Sequence, residues 1–393
     1  MGDQKSSCEL LCSMFNKVKP YLAMISLQFG YAGMYIITIL CMKRGMSHYV
    51  LAVYRHAVAT LAIAPFALAF ERKIRPKMTL SIFLKIMVLG FLEPVLDQNL
   101  YYVGMNYTSA TFSSAIFNAL PAITFIMAVI FKLERVKIKK LHSLAKVIGT
   151  TVTISGAMVM TLYKGPILNF VRSQGQRNHH NTSSSGSTDQ HWVIGTIMLI
   201  ASCSGWAGFF VLQSFTLKSY PAELSLTTLI CFMGMVQGAV VALVMEHDFN
   251  TWALGWDSRL LGPVYTGIVC SGMAYYMQGM VIKERGPVFV TAFSPLCMIV
   301  VAALGSLILA EQIHLGSVIG AIIIVVGLYC VVWGKSKDDY AISSPLTGEK
   351  GEAFELPTAM INGSEAIDVV DSNSKGGILM SETPSIVIPK SYK

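Results

Sequence analysis

Residues 89–111, LGFLEPVLDQNLYYVGMNYTSAT, open inside an apolar run long enough to cross a bilayer, yet they carry Glu93, Asp97, Gln98 and Asn99 around Pro94. A carboxylate at a bilayer centre costs roughly 2.5–3.5 kcal/mol on insertion scales, and acidic residues there face a cavity or a partner inside a helical bundle. Glu93 and Asp97 are four residues apart, a spacing that sets both on one face of an α-helix, with Tyr101 one turn on. Pro94 has no backbone N–H and its ring clashes with the carbonyl of Gly90, so the helix is expected to break at the acidic turn. Breaks of this kind line transport cavities. Counted from Ile82, Glu93 lies ~16 Å into the helix, near the midplane, with Asp97 further along.

The rest of the chain supports reading that run as a membrane helix. Of 393 residues, 53% are hydrophobic and 13% charged, with a mean hydropathy of +0.57. Soluble domains carry about 25% charged residues. A membrane helix needs about 20 mostly apolar residues. Ten such segments are read, at 21–41, 49–70, 82–103, 111–131, 143–163, 192–213, 222–245, 260–281, 288–309 and 315–334. The fold class is therefore an all-α membrane protein with ten transmembrane helices.

The organisation follows: residues 1–17 as an N-terminal segment, 18–163 as a first block of five helices, and 164–191 as a polar linker. Residues 192–334 form a second block of five, and 335–393 a polar tail expected to be disordered. Positive residues collect on the cytosolic side of membrane proteins. With the N-terminus inside, the inner loops hold twelve Lys and Arg (among them Arg72, Lys73, Lys132, Lys218, Lys283 and Arg285) against six in the outer loops. Both termini are thus expected in the cytosol and the linker outside, where Asn181-Thr-Ser is a formal glycosylation acceptor.

The net charge of +8 is explained by these loops and does not indicate nucleic acid. The eight cysteines are scattered without metal-ligand spacing, so neither metal nor cofactor is implied. Phosphate loops, HExxH and GxSxG are all missing, so no enzyme is read here.

The two blocks repeat. A shift of 177 residues sets Gly90 on Gly267 and FSSAIFN from Phe112 on FVTAFSP from Phe289; a shift of 171 sets Gly156 on Gly327. A shift of 175 sets Tyr31-Ala-Gly on Trp206-Ala-Gly and Glu71 on Glu246. Five helices per block is an odd number, so the halves must be inverted with respect to one another. Inverted repeats place the substrate near the midplane between the halves. The acidic pair is one-sided: Glu93 falls on Cys270, Asp97 on Ala274, Gln98 on Tyr275 and Tyr101 on Gln278. Carboxylates in one half and neutral hydrogen bonders in the other suit a zwitterion.

Candidate substrate contacts are Gln28, Glu93, Asn118, Tyr275 and Gln278. Arg55, on the second helix, is the candidate cation for Asp97 as a gating or structural pair. Pro94, Pro121 and Pro295 are the expected helix breaks. Ser, Thr and Gly elsewhere in the helices, such as Gly149, Gly156, Gly320 and Gly327, read as packing positions.

EPVLDQNLYYVGMNYTSATF, LPAITFIMAVIFKLERV, MTLYKGP, YPAELSLT, RGPVFVTAFSPL and VIGAIIIVVGLYCVVWGKS together resemble the plant nodulin-21-like branch of the drug/metabolite transporter superfamily, the Walls-Are-Thin-related or UMAMIT proteins. The resemblance covers about residues 18–337. It implies two EamA-type repeats and, for many members, facilitated movement of amino acids in one or both directions. It carries one alternative, an auxin or other organic-acid carrier at the tonoplast; apart from the resemblance, a non-transporting receptor or scaffold that signals through the tail is the other. The plasma membrane is favoured over the vacuolar membrane, membrane lipid is the surrounding partner, and oligomeric state is left open.

Overall fold

The computed structural model describes residues 2–108, 110–134, 140–163, 166–168, 189–247, 249–253, 258–308 and 313–343. Ten helical segments run through them. In the first half, α1 is Gly2–Lys43 and α2 is His48–Phe70. The third segment, α3 (residues 80–107), is built from Leu80–Phe91, a π-helical turn at Leu92–Asp97 and Gln98–Tyr107. Ala110–Phe117 and Leu120–Ile130 make α4, and Leu141–Leu162 is α5.

The second half repeats the plan. Asp189–Ser219 is α6 and Glu223–Met245 is α7. Ser258–Tyr265, a second π turn at Thr266–Met273, and Ala274–Arg285 make α8. Pro287–Ala292 and Ser294–Ile308 make α9, and Leu315–Ser343 is α10. A two-residue bridge, β1 (Ile167–Leu168) against β2 (Ile313–His314), ties the end of the first half to the α9–α10 corner. The last helix therefore continues to Ser343, into the stretch read as tail from 335. Residues 344–393, most of the linker and Asn181 lie outside the described residues.

Eight of the ten segments are long and apolar enough to cross a membrane. The other two are α3 and α8, the pair broken by π turns and loaded with polar groups. The bundle has the polarity of a membrane protein. Large apolar side chains face out, such as Leu61 at 75% exposure, while Gln28, Arg55, His56, Glu93, Asp97, Gln213 and Gln278 are buried. In lipid, helices associate through close packing of small residues more than through the hydrophobic effect. The α5–α10 seam is built that way. A Cβ on Gly149 would meet the Gly327 carbonyl at 2.8 Å, and one on Gly156 the Ile324 nitrogen at 2.8 Å.

The inverted repeat is visible in contacts as well as in order. Shifted by 175 residues, the bounds of α2 (48 and 70) become 223 and 245, the bounds of α7. These two helices pack against each other, antiparallel. Gly90 on α3 abuts Met233 on α7, with a Cβ–Cβ approach of 2.8 Å for an added methyl. Its counterpart Gly267 on α8 abuts Val58 on α2 at 2.9 Å. Met233 minus 175 is Val58, so the two contacts are one contact seen twice.

Candidate functional site

The first π turn is flanked by α-helical backbone, with Phe91 at φ −80°, ψ −43° and Gln98 at φ −63°, ψ −44°. Pro94 cannot donate, and its ring packs where a Cβ on Gly234 of α7 would lie 2.6 Å away. The turn is closed by i→i+5 bonds in place of i→i+4. That wider turn changes which side chains share a face. Glu93 lines up with Gln98, five residues on, whose Nε2 donates to Oε1 at 3.3 Å. Asp97 is swung towards α6, where the Ser202 hydroxyl donates to Oδ1 at 2.6 Å. Glu93 and Asp97, expected on one face, take different partners: Glu93 bonds towards α2 and α8, and Asp97 towards α6.

Arg55 also has a partner other than the expected one. The sequence pairs it with Asp97; its ion pair is with Glu93, Nη2 to Oε1 at 3.4 Å. Arg55 also donates from Nε to the Ser271 hydroxyl at 2.6 Å. Ser271 lies in the second π turn, so the guanidinium bridges the two broken helices. Tyr275, one turn further along α8, donates its hydroxyl to Glu93 Oε2. Glu93 is 5% exposed and Arg55 6%. A buried charge pair is tolerated only when its remaining donors and acceptors are met, and here Gln98, Tyr275 and Ser271 meet them.

Around this pair lie buried acceptors with no donor. His56 follows Arg55 on α2. Its Nδ1 donates to the Ala52 carbonyl at 2.7 Å, which leaves Nε2 as an acceptor. Nε2 sits 3.9 Å from Glu93 Oε2 and has no hydrogen-bond partner. Gln278 donates from Nε2 to the Tyr31 hydroxyl at 2.7 Å, and Gln213 on α6 donates to the Tyr275 carbonyl at 3.4 Å. The Oε1 atoms of both glutamines are buried and unpartnered. An unsatisfied buried acceptor costs about 1–3 kcal/mol, and of these three His56 lies beside the ion pair, while the two glutamines are joined to Tyr31 and to the Tyr275 carbonyl.

The other candidates are placed as follows. Gln28 is buried on α1. Asn118 sits at the interruption of α4 and donates to Thr161 of α5 at 3.4 Å, a partner outside the Glu93 group. Pro121 begins the second part of α4 and Pro295 that of α9, each just past a break in its helix. Ser271 is legible in the sequence as a neutral hydrogen bonder of the second half and His56 reads there as a structural hydrogen bonder, whereas Gln213 and Ser202 do not stand out as site residues. The second π turn is equally hidden there, because it contains no proline. Gly267 and Gly272, flanked by Pro263, are its only sequence signal. Among the described residues, no three His, Cys, Asp or Glu side chains converge with metal-ligand spacing.

The model of the EamA-like transporter family matches residues 18–162 and again 193–333. A WAT1-related protein of Arabidopsis thaliana is 59% identical over 376 residues, covering 90% of this chain and 96% of its own length. Two others from the same plant are 62% and 64% identical, each over 82% of this chain and 87% of its own. A solved crystal structure at 14% identity superposes with a TM-score of 0.62 over 80% of this chain and 98% of its own, a likeness of fold.

Proposed function

The chain belongs to the EamA-like transporter family, and from that membership and the chemistry of its core we propose that it is a facilitator moving amino acids across the membrane by alternating access. The observation that carries the amino-acid reading is the Arg55–Glu93 pair. It is buried, opposite in charge and long at 3.4 Å. In a low-dielectric core the net charge must stay near zero in both the empty and the loaded state. A zwitterion satisfies that condition: its carboxylate takes Arg55, its ammonium takes Glu93, and the group stays neutral. An ammonium also brings three donors, matching the idle acceptors on His56, Gln213 and Gln278. A lone organic anion would leave one uncompensated negative charge, which weighs against an auxin or organic-acid cargo. We further propose the plasma membrane as its location and, from the excess of Lys and Arg at the α2–α3, α4–α5 and α8–α9 ends, that both termini are cytosolic.

The test is competition in proteoliposomes loaded with labelled glutamine, with and without a pH gradient. Neutral amino acids compete. Analogues lacking the amine, lacking the carboxylate, and indole acetate compete at least about tenfold less well, the loss expected from one charged hydrogen-bond partner. Equal competition by indole acetate overturns the zwitterion reading.

A further inference from the structure

The two ends of the α2–α7 pair differ where the repeat says they should match. At the α2 C-terminus, Glu71 reaches across to the other half and caps α7. Its Oε1 accepts from Leu224 N at 2.9 Å and its Oε2 from Ser225 N at 2.7 Å. Leu224 and Ser225 are the second and third residues of α7, the positions whose N–H groups a cap satisfies. The α7 N-cap residue, Ala222, has no side chain to do this and is 1% exposed.

Shifted by 175 residues, Glu71 is Glu246 at the α7 C-terminus and Ala222 is Ser47 at the α2 N-terminus. Glu246 lies within electrostatic reach of His48 and Tyr49, the first two residues of α2. Yet no hydrogen bond joins it to that helix end among the described residues, and the Ser47 side chain caps nothing either. Ser47 is half-buried where Ala222 is sealed. One latch is shut and its symmetry mate stands open.

We propose that Glu71 and Glu246 are reciprocal latches: each caps the first turn of the other half's second helix in one of the two access states, and releases it in the other. The inference rests on the alternating-access reading above. Inversion makes the second state a copy of the first with the halves exchanged, so the contact made by Glu71 here is made by Glu246 there. A helix N-terminus carries a partial positive charge and unpaired donors, so a carboxylate there biases the equilibrium of whichever end it closes.

The two N-cap positions report the state directly. Ser47→Cys and Ala222→Cys, each in the full chain in nanodiscs, are labelled with an impermeant maleimide, and each site is quantified by mass spectrometry apart from the native cysteines. With both latches intact, Ser47→Cys labels faster. Glu71→Gln, which keeps the volume, raises labelling at Ala222→Cys and lowers it at Ser47→Cys, each by about fivefold, the ratio an ordinary cap moves. Glu246→Gln does the reverse. A rise at Ala222→Cys with no fall at Ser47→Cys means a local cap only and overturns the proposal, as does any silent or same-sign response to Glu246→Gln. Should Glu71→Gln not fold, Glu246→Gln still decides, since Glu246 holds no cap here. No substrate enters the assay, so a cargo other than amino acids leaves these labelling rates unchanged.

Discussion

Leu92–Asp97 and Thr266–Met273 occupy equivalent places in the two halves, and each leaves α geometry through a π turn. Gly90 just before the first and Gly267 within the second let the second helix of the opposite half approach to backbone contact. Only the first carries carboxylates. The second offers Cys270 and Ala274 at the matching positions, and Ser271, beside Cys270, serves by holding the Arg55 side chain. The backbone device is duplicated and the charge is not. On the function proposed above this separates two jobs: the broken helices set where the halves can move past one another, and the acid on one of them sets what is recognised there.

The strongest way to break that division is to neutralise its charged side. Glu93→Gln leaves Arg55 buried without a counter-charge, a loss of about 3–5 kcal/mol by analogy with other buried pairs. The expected outcome is a large drop in thermal stability, read by fluorescence-detected size exclusion, together with loss of amino-acid flux. Arg55→Gln added to Glu93→Gln restores much of the stability, because no lone charge remains, and does not restore flux. Recovery of transport in the double variant would remove the pair from substrate recognition. Cys270→Ser, the matching position in the other half, changes flux by less than about twofold, since it exchanges one small neutral hydrogen bonder for another.

Next in size is a test of the symmetric side. Gly90→Ala would drive a Cβ to 2.8 Å from Met233 Cβ, and Gly267→Ala to 2.6 Å from the Arg55 carbonyl. Both clashes involve parts of the partner helix that cannot rotate away. Each should cost about 1–3 kcal/mol by overpacking, with melting temperatures lowered to a similar degree in the two variants. If only Gly90→Ala destabilises, the halves do not share one packing contact.

What is readable in the sequence divides along the same line. Ten helices, the inverted repeat and the family follow from apolar run lengths, loop charge and residues such as Glu71 and Glu246 that recur at one spacing, because those signals are one-dimensional. The glycine seam of α5 and α10 is legible for the same reason. The partner of Arg55 is not. Choosing between Glu93 and Asp97 depends on the local winding of α3, and one extra residue in a turn rotates everything after it. Pro94 announces that the helix breaks without saying into what. His56 and Gln213 escape notice because a lone polar residue in an apolar helix is usually a packed structural group. Their idle acceptors become visible only once their surroundings are known.

Asp97→Asn gives the smallest expected effect and sharpens the comparison most. If Asp97 shared Arg55 with Glu93, its charge would matter as much. With the π turn it faces α6, where its Oδ1 accepts from the Ser202 hydroxyl at 2.6 Å. Asparagine keeps a carbonyl oxygen at that position, so the hydrogen bond survives and the cost stays below about 1 kcal/mol, the difference between a charged and a neutral acceptor. Flux and melting temperature should both remain close to those of the unaltered chain, while Ser202→Ala, which strands the carboxylate without its donor, should lower stability more than Asp97→Asn does. Should Asp97→Asn instead stop transport as Glu93→Gln does, the two acids act together on the substrate, as their spacing of four first suggests.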